Sequence, residues 1–146
     1  MVSLQTCDKH LWNSLNNLGC VPKKSLVLKF PAKNIFFKEN LIYDFIRGYC
    51  DGDGSFGVYP HSKKDPEKNK KTSLNFIGTK EFLEGIENYL GKGFLKQKVN
   101  CNKNTYKLQY SGNKANSALN LMYSKASIYL DRKYNIFINN VPRLIG

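Results

Sequence analysis

The segment LIYDFIRGYCDGDGSF, residues 41–56, constrains the fold of this chain more than any other. Its first ten residues place apolar side chains at Leu41, Ile42, Phe45, Ile46, Tyr49 and Cys50, the i, i+4, i+8 rhythm of a helix with one buried face. Gly48 and Gly52 lie four apart on that helix, so one strip of it is bare backbone that a second helix can approach closely. The helix then runs into Asp51 and Asp53. Two carboxylates at a helix C-terminus oppose the macrodipole and cost stability. They make sense where a cation is held, and Asp53 is a natural ligand for a hard divalent metal. Asp-Gly-Asp-Gly is also a turn sequence, the bland alternative. A calcium loop counted from Asp51 needs Gly at its sixth position and Glu at its twelfth. The chain has Phe56 and Ser62 there, and that reading fails.

The chain has 146 residues, enough for one domain with a single core. Its 23 Lys and Arg against 11 Asp and Glu leave a formal charge of +12. That excess suits a polyanion, because each lysine set against a phosphate releases counterions. Charge alone fits a membrane surface equally, but the lysines fall on predicted strands and hairpins, not on an amphipathic helix. No apolar run is long enough for a transmembrane helix, and MVSLQTCD is not a signal peptide. The expected location is intracellular: the cytoplasm of a low-GC bacterium or phage host, or an organelle. Cys7, Cys20, Cys50 and Cys101 are scattered, and with two histidines they imply neither a zinc site nor a disulfide framework.

After the helix, Ser55 to Tyr59 and Thr72 to Gly78 read as strands joined by a basic hairpin loop, residues 60–71. Thr79 is the expected cap of a helix through Leu90, with Gly91 just past its end. Phe94 to Val99 and Thr105 to Ser111 form a second hairpin. Asn113 is the expected cap of a helix carrying Ala115, Ala118, Leu119 and Met122, and a last helix holds Leu130, Tyr134 and Phe137. The predicted class is α+β in the order αββαββα. Phe56, Val58, Leu74, Phe76, Leu95, Val99 and Leu108 share one sheet face, which must pack on the helices. The other face carries Ser55, Tyr59, Ser73, Asn75, Lys96, Lys98, Lys107 and Gln109. An ordinary solvated face would look the same. Here the lysines come with amides able to read adenine, as a ribbon laid in a DNA major groove requires. Lys63, Lys64, Lys68, Lys70 and Lys71 of the first hairpin, and Lys103 of the second, extend the expected DNA contacts along the backbone.

Ile46-Arg-Gly-Tyr-Cys-Asp-Gly-Asp-Gly54 resembles the nine-residue signature of the LAGLIDADG homing endonucleases, Ser55 and Phe56 included. Residues 76–86 and 129–134 look like later segments of the same domain, so the resemblance covers about residues 41–137. It implies a saddle-shaped antiparallel sheet with helices on one face, and hydrolysis of double-stranded DNA in the service of intron or intein mobility. It places Asp53 and the Gly52 carbonyl on Mg²⁺, or another divalent ion such as Mn²⁺, and gives Asp51 a structural role. Lys133 matches the region that supplies a catalytic lysine, and Lys80 falls where a polar pocket residue is usual. One signature per chain implies a homodimer through Phe45, Gly48, Tyr49 and Gly52, with a twofold-symmetric target. The same fold also serves non-catalytic binders, transcriptional regulators and intron maturases.

Residues 1–40 fall outside this domain, which the sequence reading sets at residues 41–146. They hold an amphipathic helix whose Leu11, Leu18 and Gly19 align with Leu83, Leu90 and Gly91. Two-motif relatives carry two domain copies in one chain. The N-terminal stretch is therefore either the tail of a lost first copy, which would make the chain a fragment of such an enzyme, or an unrelated helix packed on the core.

Overall fold

A computed structural model of the chain describes residues 7–20, 27–36, 40–60, 70–98 and 104–143. Lys63, Lys64, Lys68 and Lys103, with His61 and Val99, lie outside the described residues. Helix α1 spans Lys9–Asn17, and a 3-10 turn follows at Lys33–Ile35. Then come α2 (Asn40–Gly52), β1 (Ser55–Pro60), β2 (Lys70–Gly78), α3 (Lys80–Leu90), β3 (Phe94–Gln97), β4 (Tyr106–Ser111), α4 (Asn113–Tyr123) and α5 (Asp131–Asn140). The αββαββα order is present, with α1 ahead of it and α5 behind.

All strand pairs are antiparallel, in the order β1-β2-β4-β3, so the two hairpins lie side by side with their second strands central. The period-two pattern divides the sheet as expected. Leu74, Phe76, Leu108 and Tyr110 are buried on one face, with Phe56 and the half-buried Leu95 beside them. Helices α3 and α4 pack on β2 and β4, and α5 packs on β1. Helix α2 lies against α3 and α4 and buries Ile42, Ile46 and Cys50, the predicted stripe.

The caps follow the sequence with one correction. The Thr79 side chain accepts from the Phe82 N–H, and Gly91 ends α3 with φ +83°. Asn113 is not a cap but the first residue of α4. The N-cap is Gly112 at φ +57°, and its N–H donates to the Thr72 carbonyl at 2.8 Å. The chain turns so tightly off β4 that a residue without a side chain does the capping.

Residues 27–36 pack on the domain. Phe30 meets Phe45 edge-on with ring centroids 5.5 Å apart and stacks on Tyr89 at 5.6 Å. Phe36 joins Phe45 at 5.7 Å, and the Thr79 hydroxyl donates to the Leu28 carbonyl. The division at residue 40 is therefore not a packing boundary. Helix α1 differs again: Asp8 caps it, accepting from the N–H groups of His10 and Leu11, yet none of its residues is buried. Leu11, Trp12 and Leu15 are 43%, 57% and 42% exposed, whereas Leu83 and Ile86 are at 0%. The two helices pack unlike each other.

Gly85 is the contact that admits the N-terminal segment. A Cβ there would run into the Cβ and ring of Phe30, closer than any real packing permits. Gly85→Ala is expected to destabilise the domain by roughly 1–3 kcal/mol, the usual cost of overpacking. Urea unfolding checks this, and an unchanged midpoint would mean that Phe30 does not sit on α3 in solution.

Candidate functional site

The site begins at the C-terminal end of α2. The last carbonyls of a helix lack intrahelical partners and carry its negative dipole end. Here Lys133, from the first turn of α5, supplies the partners. Its Nζ donates to the Cys50 carbonyl, to the Asp51 carbonyl at 3.0 Å and to the Gly54 carbonyl at 2.7 Å. The residue is only 3% exposed, and all three of its N–H donors are spent on backbone. Lys133, at the position where the resemblance implied a catalytic lysine, thus sits as a buried helix cap.

Asp51 is equally occupied. Its carboxylate accepts from the Tyr123 hydroxyl at 2.6 Å and from the Leu130 N–H at 3.0 Å, tying α2 to the end of α4 and the start of α5. Burial, reinforced by the neighbouring Cys50 and Asp51, pushes the Tyr123 phenol far up, so it remains a donor. Asp53 is the contrast. Its backbone N–H donates to the Tyr49 carbonyl, but its side chain is exposed and forms no hydrogen bond or ion pair with any described residue. Nor does any described residue donate to the Gly52 carbonyl, which Lys133 skips. One free carboxylate and one free carbonyl, both hard oxygens, remain at this corner. They fit a divalent cation that takes its other ligands from water or phosphate. Among the described residues no group of three or more His, Cys, Asp or Glu could hold a metal by itself.

The expected helix-pairing residues divide into two sets. Gly48 and Gly52 are exposed, and a Cβ built on either meets nothing within 4 Å. Phe45 and Tyr49 instead turn into the domain: Phe45 joins the Phe30–Phe36 cluster, and the Tyr49 hydroxyl donates to the Ile77 carbonyl at 2.7 Å. Burial, with Asp53 adding to it, raises the Tyr49 phenol to about 12. Lys80 is exposed on the first turn of α3 and pairs with Glu84 at 3.7 Å.

Two residues that sequence reading passed over matter here. Arg47, 6% exposed, donates to the Met122 carbonyl at 3.0 Å, the Ile128 carbonyl at 2.8 Å and Asp44 at 2.7 Å. It holds the open side of α2 against the α4–α5 connection. A charged residue beside Ile46 in an otherwise apolar stripe was the available signal. The other is Tyr123, whose hydroxyl holds Asp51, and nothing local marks it.

The outer face of the sheet gathers the predicted DNA-binding residues in rows. Ser55 pairs with Asn75, Asn75 with Gln109, and Gln109 with Phe94, in line across all four strands. Lys107 pairs with Lys96 in the next row, Tyr59 pairs with Lys71 at the edge, and Pro60 pairs with Lys70. Lys98 and Lys107 flank a shallow cleft of about 370 Å³ on this face. The Asn75 side chain donates to the Ser73 hydroxyl at 3.3 Å. Asp53 lies two residues before Ser55, so it stands within roughly 7 Å of this face by chain length alone.

Cys50 lies beneath the Lys133 cap. Burial pushes its thiol from 9.0 up to about 11, against the opposing pull of the Lys133 ammonium. Between those values the folded chain keeps a proton that the unfolded chain has released. The unfolded state then binds fewer protons, and stability falls as pH rises. Urea unfolding from pH 8.5 to 10.5 is expected to show a steeper decline for the wild type than for Cys50→Ala; parallel curves would remove Cys50 as the cause.

No family model and no curated protein matches the chain. Solved structures do. An archaeal intron-encoded homing endonuclease complexed with DNA, I-Vdi141I, aligns with a TM-score of 0.51 at 25% identity, over 68% of this chain and 66% of that one. The homing endonuclease I-CvuI, in complex with its target in the presence of calcium, gives 0.53 at 19% identity, over 70% and 65%. The group I intron-encoded I-CeuI, complexed with DNA, gives 0.52 at 13% identity, over 66% and 50%. This chain therefore spans less than two thirds of the length of each of these relatives. The helix carrying residues 46–54, set beside a four-stranded antiparallel sheet, gives the chain the fold of the LAGLIDADG homing endonucleases.

Proposed function

We propose that this chain is a site-specific DNA endonuclease that lays the outer face of its sheet along the major groove and acts as a homodimer with Mg²⁺ or Mn²⁺. The observation that carries the reading is Asp53, an unpaired carboxylate at the exposed end of α2, next to the Gly52 carbonyl and the basic sheet face. A pure binder gains nothing from a free carboxylate turned toward phosphate. The sheet adds a second support. Lys96 and Lys107 are direct cross-strand partners, an arrangement that destabilises a sheet unless an anion lies over it.

Asp53 and the Gly52 carbonyl of each chain would hold the cation, and a bound divalent ion supplies positive charge to the oxygens of the phosphodiester undergoing hydrolysis. Lys133 contributes by position. By neutralising the helix end, it leaves Asp53 free to face outward. Lys80, exposed and only loosely paired with Glu84, is the remaining candidate to steady a phosphate or water. Pairing of two chains is supported by the open Gly48 and Gly52 strip. A cleft of about 480 Å³ beside it is lined by Gly48, Asp51 and Ile128, the last 80% exposed. One carboxylate per chain also favours a second reading, a non-catalytic DNA-binding protein of the same fold.

Light scattering with and without randomised duplex DNA and Mg²⁺ separates the two. A dimer on DNA, with cleavage lost about a hundredfold or more in Asp53→Asn, fits a metal contributing several kcal/mol to the reaction. Affinity for duplex should survive that substitution. A monomer on DNA that never cleaves establishes the binding-only reading. Lys96→Ala is expected to reduce the slope of log affinity against log salt by about one, the signature of one lost phosphate contact.

A further inference from the structure

The polar face of the sheet carries Ile77, 42% exposed in the row of Lys107 and Lys96, and a still more exposed phenyl ring that neither the core nor the signature explains. Phe94 is 65% exposed, it makes no ring contact with any described residue, and it stands at the end of the row Ser55–Asn75–Gln109–Phe94. Its neighbour along β3 on the same face is Lys96, and with Lys98, Lys107 and Gln109 it lines the shallow cleft of about 370 Å³. Leaving a phenyl ring in water at this spot wastes apolar area that a partner could cover.

The row spans three strand spacings, about 14 Å, comparable with the ~12 Å width of a major groove. Asn and Gln in it can pair with adenine edges, whereas a phenyl ring can make no hydrogen bond to any base. The apolar group that a major groove offers among the four standard bases is the C5-methyl of thymine. Resting on the reading that this face docks in the major groove, we infer that Phe94 is a specificity-determining residue that selects thymine by covering its methyl group. In a symmetric dimer the preference appears once in each half-site.

The full chain, wild type and Phe94→Ser, is used to enrich binders from a randomised duplex pool. The wild-type winner is then resynthesised with deoxyuridine replacing thymidine at one position at a time, which removes only the methyl group. The expected result is one position per half-site where uracil weakens wild-type binding about fourfold, the transfer of one methyl from water. Phe94→Ser should bind thymine and uracil there equally and lose the thymine preference on enrichment. Its thermal unfolding should stay unchanged, since the ring is exposed. Tight binding by the wild type that tolerates uracil at every position overturns the inference and leaves the docking intact. Failure to retain any duplex overturns the docking and the inference with it.

Discussion

The Lys133 ammonium, placed under the last carbonyls of α2, is the interaction on which the functional end of this molecule depends. That end would otherwise collect only negative charge: a helix C-terminus worth about half an elementary charge, then Asp51, then Asp53. Burying a lysine is costly unless its charge and all its donors are satisfied. Three carbonyls satisfy the donors, and the surrounding negative potential offsets the charge. The same lysine ties α5 to α2, while Tyr123 and the Leu130 N–H hold Asp51 from the α4–α5 side. Three helices, α2, α4 and α5, are thereby locked around one helix end. The single acidic group they leave unconstrained is Asp53.

Rigidity here and openness next to it are complementary. Arg47 does for the flank of α2 what Lys133 does for its end, spending its guanidinium on carbonyls of Met122 and Ile128. The α4–α5 connection is thus fixed beside the Gly48 and Gly52 strip, and Ile128 stands exposed at its edge. Phe45 and Tyr49 are drawn inward by the Phe30 cluster and the Ile77 carbonyl. What remains outward at the C-terminal half of α2 is the Gly48 and Gly52 strip, bare backbone whose partner must come close.

Much of this was legible locally. Period decided the buried stripe Ile42, Ile46, Cys50 and the two faces of the sheet, because both follow from the geometry of the element that carries them. Thr79 and Gly91 declared the ends of α3 by cap chemistry. What escaped was long-range or irregular. Lys133 meets Cys50 across 83 residues of chain and Arg47 meets Met122 across 75, and no local rule pairs them. The family resemblance marks Lys133 as catalytic, and nothing local tells that its ammonium is spent on backbone carbonyls. Residues 27–36 looked like linker because the aromatic surface that receives Phe30 is assembled from Phe45, Phe82 and Tyr89 on two helices. The sheet alternation marked Lys96 and Gln109 as outward but passed over Phe94, since β3 could begin with an apolar residue on either face.

The geometry also couples cation, DNA and pairing in the proposed enzyme. Two copies joined along the glycine strip would bring two Asp53 carboxylates and two negative helix ends together in a partly desolvated space. Lys133 cannot relieve that repulsion further, since its donors are spent within its own chain. The opposing charge must then come from cations between the carboxylates, and one carboxylate and one carbonyl per chain leave those cations short of ligands. Phosphate oxygens supply what is missing, and the basic face two residues downstream brings phosphates to that place. Each component lacks a stabilising partner until the others arrive, so a free chain has little reason to pair strongly or to bind metal tightly by itself. A nuclease built this way assembles its hydrolytic centre on the DNA it has already recognised.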